Sequence, residues 1–237
     1  MTDYLKRFDK MAKDLAAQKY IDIVEYKAHP PARRATLNAV EEALGAPLSP
    51  ALRSFYEQTN GLKLHWSIKP GLSPEETSKL RKRSTDYYVV IAEYVEDPFA
   101  MINLLSLEDS ILKKYKMVPS RPEPEITFNN VPYQRSDFQK RLKPFDLMNP
   151  DLCMTFLLEK KNGNPPVLFL HEGCSDWTGS RLTDFGSYLE MLFATRGIVE
   201  ARQKIFAEES KGEFKPLVGD EAYWQRVHTP AMFKKTN

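Results

Sequence analysis

The chain has 237 residues, 42% of them hydrophobic and 28% charged, and its 34 Lys+Arg against 32 Asp+Glu leave a net charge of +2. This length can bury a substantial core, as one large domain or a domain with extensions. The near-neutral balance gives no strong field for nucleic acid or an anionic membrane, and two cysteines, Cys153 and Cys174, are too few for a disulfide framework.

The N-terminal stretch MTDYLKRFDKMAKDL alternates charge with apolar residues and has no continuous apolar region of the secretory kind. No apolar run approaches the roughly 20 residues that a membrane helix needs. Free thiols and the lack of both signals point to a cytoplasmic protein. Leu5, Phe8, Ala12 and Leu15 follow helical spacing and predict a first helix over 4–19. The following IDIVEY (21–26) fits either a continuation of that helix or a short strand. Pro30-Pro31 breaks the chain.

Leu37, Val40 and Leu44 lie at i, i+3 and i+7 on one helical face, and Gly45 follows the last of them, where a left-handed stop favours glycine. Ser49 is a natural N-cap and Pro50 a natural first helical residue. Leu52, Phe55 and Thr59 give the second helix its apolar face, and Asn60-Gly61 stops it through positive φ. After Gly61 the period changes to two: Leu62, Leu64, Trp66 and Ile68 alternate with Lys63, His65, Ser67 and Lys69, which predicts a half-buried strand with Trp66 in the core. The stretch 73–83 is polar and ends in Lys79, Arg81, Lys82 and Arg83, a solvated surface or a patch for an acidic partner or nucleic acid. Residues 85–95 are rich in Tyr, Val and Ile and predict a strand. Ser106 caps a helix carrying Leu107, Ile111, Leu112 and Tyr115 inward.

Four prolines make 118–137 an irregular connection with room for a short strand at Ile126-Thr127-Phe128. Residues 144–148 and 153–159 predict strands, and KNGNPP (161–166) turns the chain into a returning strand at 167–171, forming a hairpin. Thr183 is placed as the cap of a helix with Phe185, Leu189, Leu192 and Phe193 inward. Gly197 interrupts it before a second helical stretch at 198–209, and Tyr223, Trp224 and Phe233 suggest a tail docked on the body. Strands joined by a hairpin, without regular alternation with long helices, predict an α+β fold with a single, mostly antiparallel sheet backed by helices.

Three segments resemble the SUKH superfamily, whose best-known branch contains the fungal cell-wall-synthesis and killer-toxin-resistance regulators. VEEALGAPLSPALRSFYEQTNG (40–61) is similar to the family's opening pattern of helix, Pro-containing link, helix and Asn-Gly. FDLMNPDLCMTFLLEKKNGNPPVLFLHE (145–172) is similar to its central strand pair, and LTDFGSYLEMLF (182–193) to its closing helix. The resemblance divides the chain into an N-terminal helical extension (1–34), a SUKH-like domain (35–197) and a C-terminal helix and tail (198–237). It implies a non-catalytic module that binds a protein partner, as an immunity protein occluding a toxin or as a regulatory scaffold of the cell-wall type.

Other chemistry is thinner. HEGCSD (171–176) could supply a Cys174/His171 nucleophile pair for a hydrolase or transferase, but a plain run of turn residues after a strand is by far the commoner origin of such a cluster. His29, His65, His171 and His228 form no HxxxH, HExxH or Cys-paired spacing, so neither metal nor cofactor is expected, and no glycine pattern builds a phosphate loop. A strand end or loop with polar or aromatic reach is where a partner would be met. The expected partner-binding residues are His65, Tyr87, Glu172, Asp176, Trp177 and Arg181.

Overall fold

A computed structural model describes residues 2–69, 71, 73, 75, 100–113, 125–128, 131–148, 152–170, 183–199, 202 and 206. The first helix, α1 (Tyr4–Ala16), begins where Asp3 accepts a hydrogen bond from the Lys6 amide, and it buries Tyr4, Phe8, Met11, Ala12 and Leu15. The chain then enters a strand, β1 (Ile21–Ala28), which resolves the ambiguity at 21–26. Next come α2 (Arg34–Leu44) and α3 (Pro50–Tyr56), joined as the sequence predicts: Gly45 is left-handed at φ 67°, and the Ser49 hydroxyl accepts from the Leu52 amide.

The exit from α3 differs from the expectation. The helix ends at Tyr56, three residues before Thr59, and Gly61 alone of the Asn60-Gly61 pair has positive φ, at 110°. Thr59 is fully buried, and its hydroxyl lies within hydrogen-bond distance of the carbonyls of His29 and Gly61, at 2.9 and 2.7 Å. A Cβ on Gly61 would sit 2.8 Å from the Leu104 carbonyl oxygen, so this turn packs backbone on backbone.

Six strands form one antiparallel sheet in the order β1-β2-β3-β6-β7-β8. These are β1, β2 (Leu62–Ile68), β3 (Ala100–Leu104), β6 (Leu142–Leu147), β7 (Cys153–Leu157) and β8 (Val167–Leu170). The expected alternation in β2 holds, with Leu62, Leu64, Trp66 and Ile68 buried, and β7 and β8 form the expected hairpin. Between β3 and β6 lie a π-helical turn (Glu108–Leu112), a two-stranded ribbon of β4 (Glu125–Phe128) and β5 (Val131–Gln134), and helix α4 (Arg135–Arg141). The sequence pattern indicates only β4 of the ribbon and helix that follow the turn. Leu112, expected inward, is 40% exposed, because the wider π turn rotates it off the buried face of Leu107 and Ile111.

Helix α5 (Phe185–Thr195) is capped by Asp184, which accepts from the Ser187 amide at 2.9 Å. Thr183 instead exchanges backbone hydrogen bonds with Val167 and so extends β8's pairing. Gly197 interrupts α5 as expected, and Ile198 bridges to Ala100. The predicted strand at 85–95, the loop at 172–182 and the tail beyond 210 lie outside the described residues.

The two faces of the sheet are covered differently. One packs under α1, α2, α3 and α5 through an aromatic cluster, with Phe8 on Phe193 at 4.6 Å between ring centres and Phe145 stacked on Phe156 at 4.1 Å. Among the described residues the other is closed only over β6–β8, where Phe138 of α4 packs with Leu142, Cys153, Leu157, Leu168 and Leu170. Every residue of β7 and β8 is therefore buried. On the same outer side, β1–β3 present Lys63, His65, Ser67 and Asn103, which stay partly exposed.

β3 and β6 share a single aligned pair, Leu104 and Asp146, and side chains fill the rest of this joint. The buried Asp146 carboxylate accepts from the Asn103 amide at 2.7 Å, from the Arg202 guanidinium at 2.7 Å, and from the Tyr188 hydroxyl. Arg202, fully buried, also donates to the carbonyls of Gly197 (3.0 Å) and Met101. Burial opposes its charge, but Tyr188 and Asp146 outweigh that and hold the guanidinium above its ordinary pKa. Burial and the neighbouring Asp146 carboxylate push the Tyr188 hydroxyl well above its own, so it is a neutral donor.

Candidate functional site

A cleft of about 560 Å³ opens where the Asn60-Gly61 turn meets the end of β3. One wall is His29, Pro30, Pro31 and Arg33 with Lys63 of β2; the other is Leu105, Ser106, Glu108 and Asp109 at the start of the π turn. The local sequence explains the shape. Pro30 and Pro31 hold the connection from β1 to α2 extended, and the Asn60 amide donates to the Pro30 carbonyl at 2.8 Å. Gly61 lets the chain cross directly over residues 104–106.

Asn60 is the keystone of this region, through its side chain rather than its backbone conformation. Its Oδ1 accepts from the Leu107 amide at 2.8 Å, and its Nδ2 donates to Glu108 at 2.9 Å. The other Glu108 oxygen accepts from Thr36 Oγ1 of α2 at 2.6 Å. Partial burial alone would raise the Glu108 pKa, but the hydrogen bonds from Thr36, Asn60 and its own backbone prevail and hold it below the ordinary 4.5. Glu108 is thus a fixed carboxylate that ties α2, the α3 exit and the π turn together. Ser106 and Asp109 form a reciprocal cap: the Asp109 amide donates to Ser106 Oγ at 3.1 Å, and that hydroxyl donates to the Asp109 carboxylate at 2.8 Å.

His29, Ser106 and Asp109 line the same cleft, but the Ser106 hydroxyl is committed to Asp109, and no hydrogen bond joins it to His29. The arrangement is a helix cap rather than a nucleophile with its base. Among the described residues no group of three or more His, Cys, Asp and Glu could hold a metal ion, and no described helix is long and apolar enough to cross a membrane.

Of the residues expected to meet a partner, His65 lies on the outer face of β2, opposite Glu25 and Met101 and next along that face from Lys63. It is half-buried, its Nε2 has no hydrogen-bond partner among the described residues, and burial pushes its pKa below 6.5 against the opposing pull of Glu25. Tyr87, Glu172, Asp176, Trp177 and Arg181 lie outside the described residues, as do His171 and Cys174 of the alternative nucleophile pair. Sequence reasoning did not single out Asn60, Glu108, Lys63 or Arg33 as site residues. The sequence signal for Asn60 is its place in the Asn-Gly stop; nothing local marks Glu108 as its partner.

The family model described as SMI1 / KNR4 family (SUKH-1) matches residues 31–191, a range that contains every lining residue of the cleft except His29 and Pro30. No curated protein and no solved structure matches the chain.

Proposed function

The chain belongs to the SMI1 / KNR4 family (SUKH-1), and from that premise we propose that it is a non-catalytic protein-binding module, acting as an immunity protein that neutralises a toxin by covering its active site. The observation that carries this reading is the state of the cleft's reactive groups. Its carboxylates and its serine are engaged in holding the fold together, and its walls stand on a sheet and helices that share one core. A preformed surface loses little entropy on association, which is what occlusion of a partner requires. Catalysis through a carboxylate or the serine would need at least one of those groups released to a substrate.

A second reading, a regulatory scaffold of the cell-wall type, is equally compatible with membership of the SMI1 / KNR4 family. Both readings need a stoichiometric protein partner, and the partner's own activity separates them. The test is to purify the full chain from its native cells with whatever it retains, then to assay the retained protein alone and in complex. A toxic activity that the complex abolishes supports the immunity reading. A retained signalling or cell-wall enzyme supports the scaffold. No stoichiometric partner at all sinks both.

A further inference from the structure

We propose that the cationic wall of the cleft is a docking site for a carboxylate-bearing segment of the partner protein; the inference rests on the protein-binding reading above and names the chemistry of that partner. Lys27 of β1 and Lys63 of β2 are register partners, so two ammonium groups project side by side from the same outer face. Like charges in that position destabilise a sheet. Arg33 stands exposed across the loop, and no acidic residue occupies the first turn of α2 beside it. The side chains of Lys27, Arg33 and Lys63 have no ion pair or hydrogen bond to any described residue. Several cations elsewhere on the surface are matched, as in Arg7–Glu190, Arg53–Glu57 and Lys140–Asp137.

The two acids of the opposite wall do not supply the missing counter-charge. Glu108 is held by Thr36 and Asn60, and Asp109 by Ser106 and Lys113. They also discriminate between ligands. A continuous phosphate backbone laid in the cleft would run against both carboxylates, and the lining holds no Phe, Tyr or Trp, leaving the His29 imidazole as its one ring for a base to stack on. A protein loop can place its carboxylates on Lys63 and Arg33 alone, and a cleft of about 560 Å³ has room for a few side chains.

The test uses the full chain and Lys63→Glu, followed by backbone amide NMR during titration with hexaglutamate and, separately, with hexathymidylate. Lys63→Glu turns the Lys27 contact attractive, so the variant should melt at or above the wild-type temperature. Hexaglutamate is expected to shift the amides of 60–63 and 103–109. The variant should weaken that binding about tenfold, as should raising salt from about 50 to about 500 mM. Absence of shifts there, equal binding by a folded variant, or tighter binding of hexathymidylate at these residues would each overturn the proposal. Partner retention from native cells separates the two levels of the argument. Equal retention by wild type and Lys63→Glu overturns this docking site and leaves the protein-binding reading standing, whereas no retention by wild type overturns that reading and the inference with it.

Discussion

Replacing Arg202 by Met should be among the most damaging single substitutions in the described structure. The guanidinium is fully buried and donates to Asp146, to the Tyr188 hydroxyl and to the carbonyls of Gly197 and Met101. Methionine fills much of the volume but leaves the Asp146 carboxylate in the interior with only Tyr188 and the Asn103 amide. Breaking a buried pair in this way costs about 3–5 kcal/mol, a large part of the roughly 5–15 kcal/mol that holds a typical domain together. Urea unfolding followed by tryptophan fluorescence reads the loss directly, as a lower midpoint at unchanged slope. The decisive comparison is Arg202→Met with Asp146→Asn added. The amide removes the orphaned charge yet still accepts from the Asn103 amide, so the double variant should be less destabilised than the sum of the two singles, by about 1–3 kcal/mol. A single-variant loss under about 1 kcal/mol, or strict additivity, would refute the claim that this cluster closes the gap between β3 and β6.

Two further outcomes follow from the cleft. Glu108→Gln should cost about 1–2 kcal/mol at neutral pH, because it weakens the charge-assisted bonds from Thr36 and Asn60. The Glu108 pKa is depressed on folding, so its contribution is complete above the ordinary 4.5 and is lost as pH falls through the lower folded-state value. Wild type and variant should therefore converge in acid, and a stability gap that persists at about pH 2 would contradict the assignment. Gly61→Ala forces an L residue to φ 110° and drives its Cβ to 2.8 Å from the Leu104 carbonyl. The expected cost is about 2–3 kcal/mol, seen by calorimetry as a melting temperature lower by roughly 5–10 °C; a drop under about 2 °C would show that the turn relaxes freely.

The elements with a clean period were legible in the sequence. Leu37, Val40 and Leu44, the Ser49-Pro50 start and the alternation of Leu62 to Ile68 all fold as their spacing dictates. β1 was ambiguous for a physical reason: a bulge between Ile23 and Glu25 shifts its register, so the burial pattern loses its two-residue period. β5 was hidden by Pro132, which a two-stranded ribbon tolerates because one side of each strand has no ladder to complete. α4 has one buried residue, Phe138, in seven, too little for a helical signature. The unbroken apolar run of β7 correctly marked a strand, but nothing local revealed that α4 would cover its second face.

The cleft was the least legible part. Asn60 was read through backbone conformation, whereas its side chain carries the role, and its partners Leu107 and Glu108 arrive from beyond β3. Lys63 looked like the solvent half of an alternating strand. Only its register with Lys27, and the loop that brings Arg33 alongside, make it part of a charged wall.

The closure of the β3–β6 joint bears on how the protein can be cut. The family match stops at 191, inside α5. A fragment ending there would lack the Arg196 carbonyl that receives the Trp66 indole at 2.8 Å, the Ile198 bridge, and the cation opposite Asp146. One starting at 31 would discard α1 and β1 and leave β2 as a raw edge. Truncation experiments that follow the family limits would thus test a molecule missing its own counterion, while a piece running from Asp3 through Phe206 keeps every side chain of the described core.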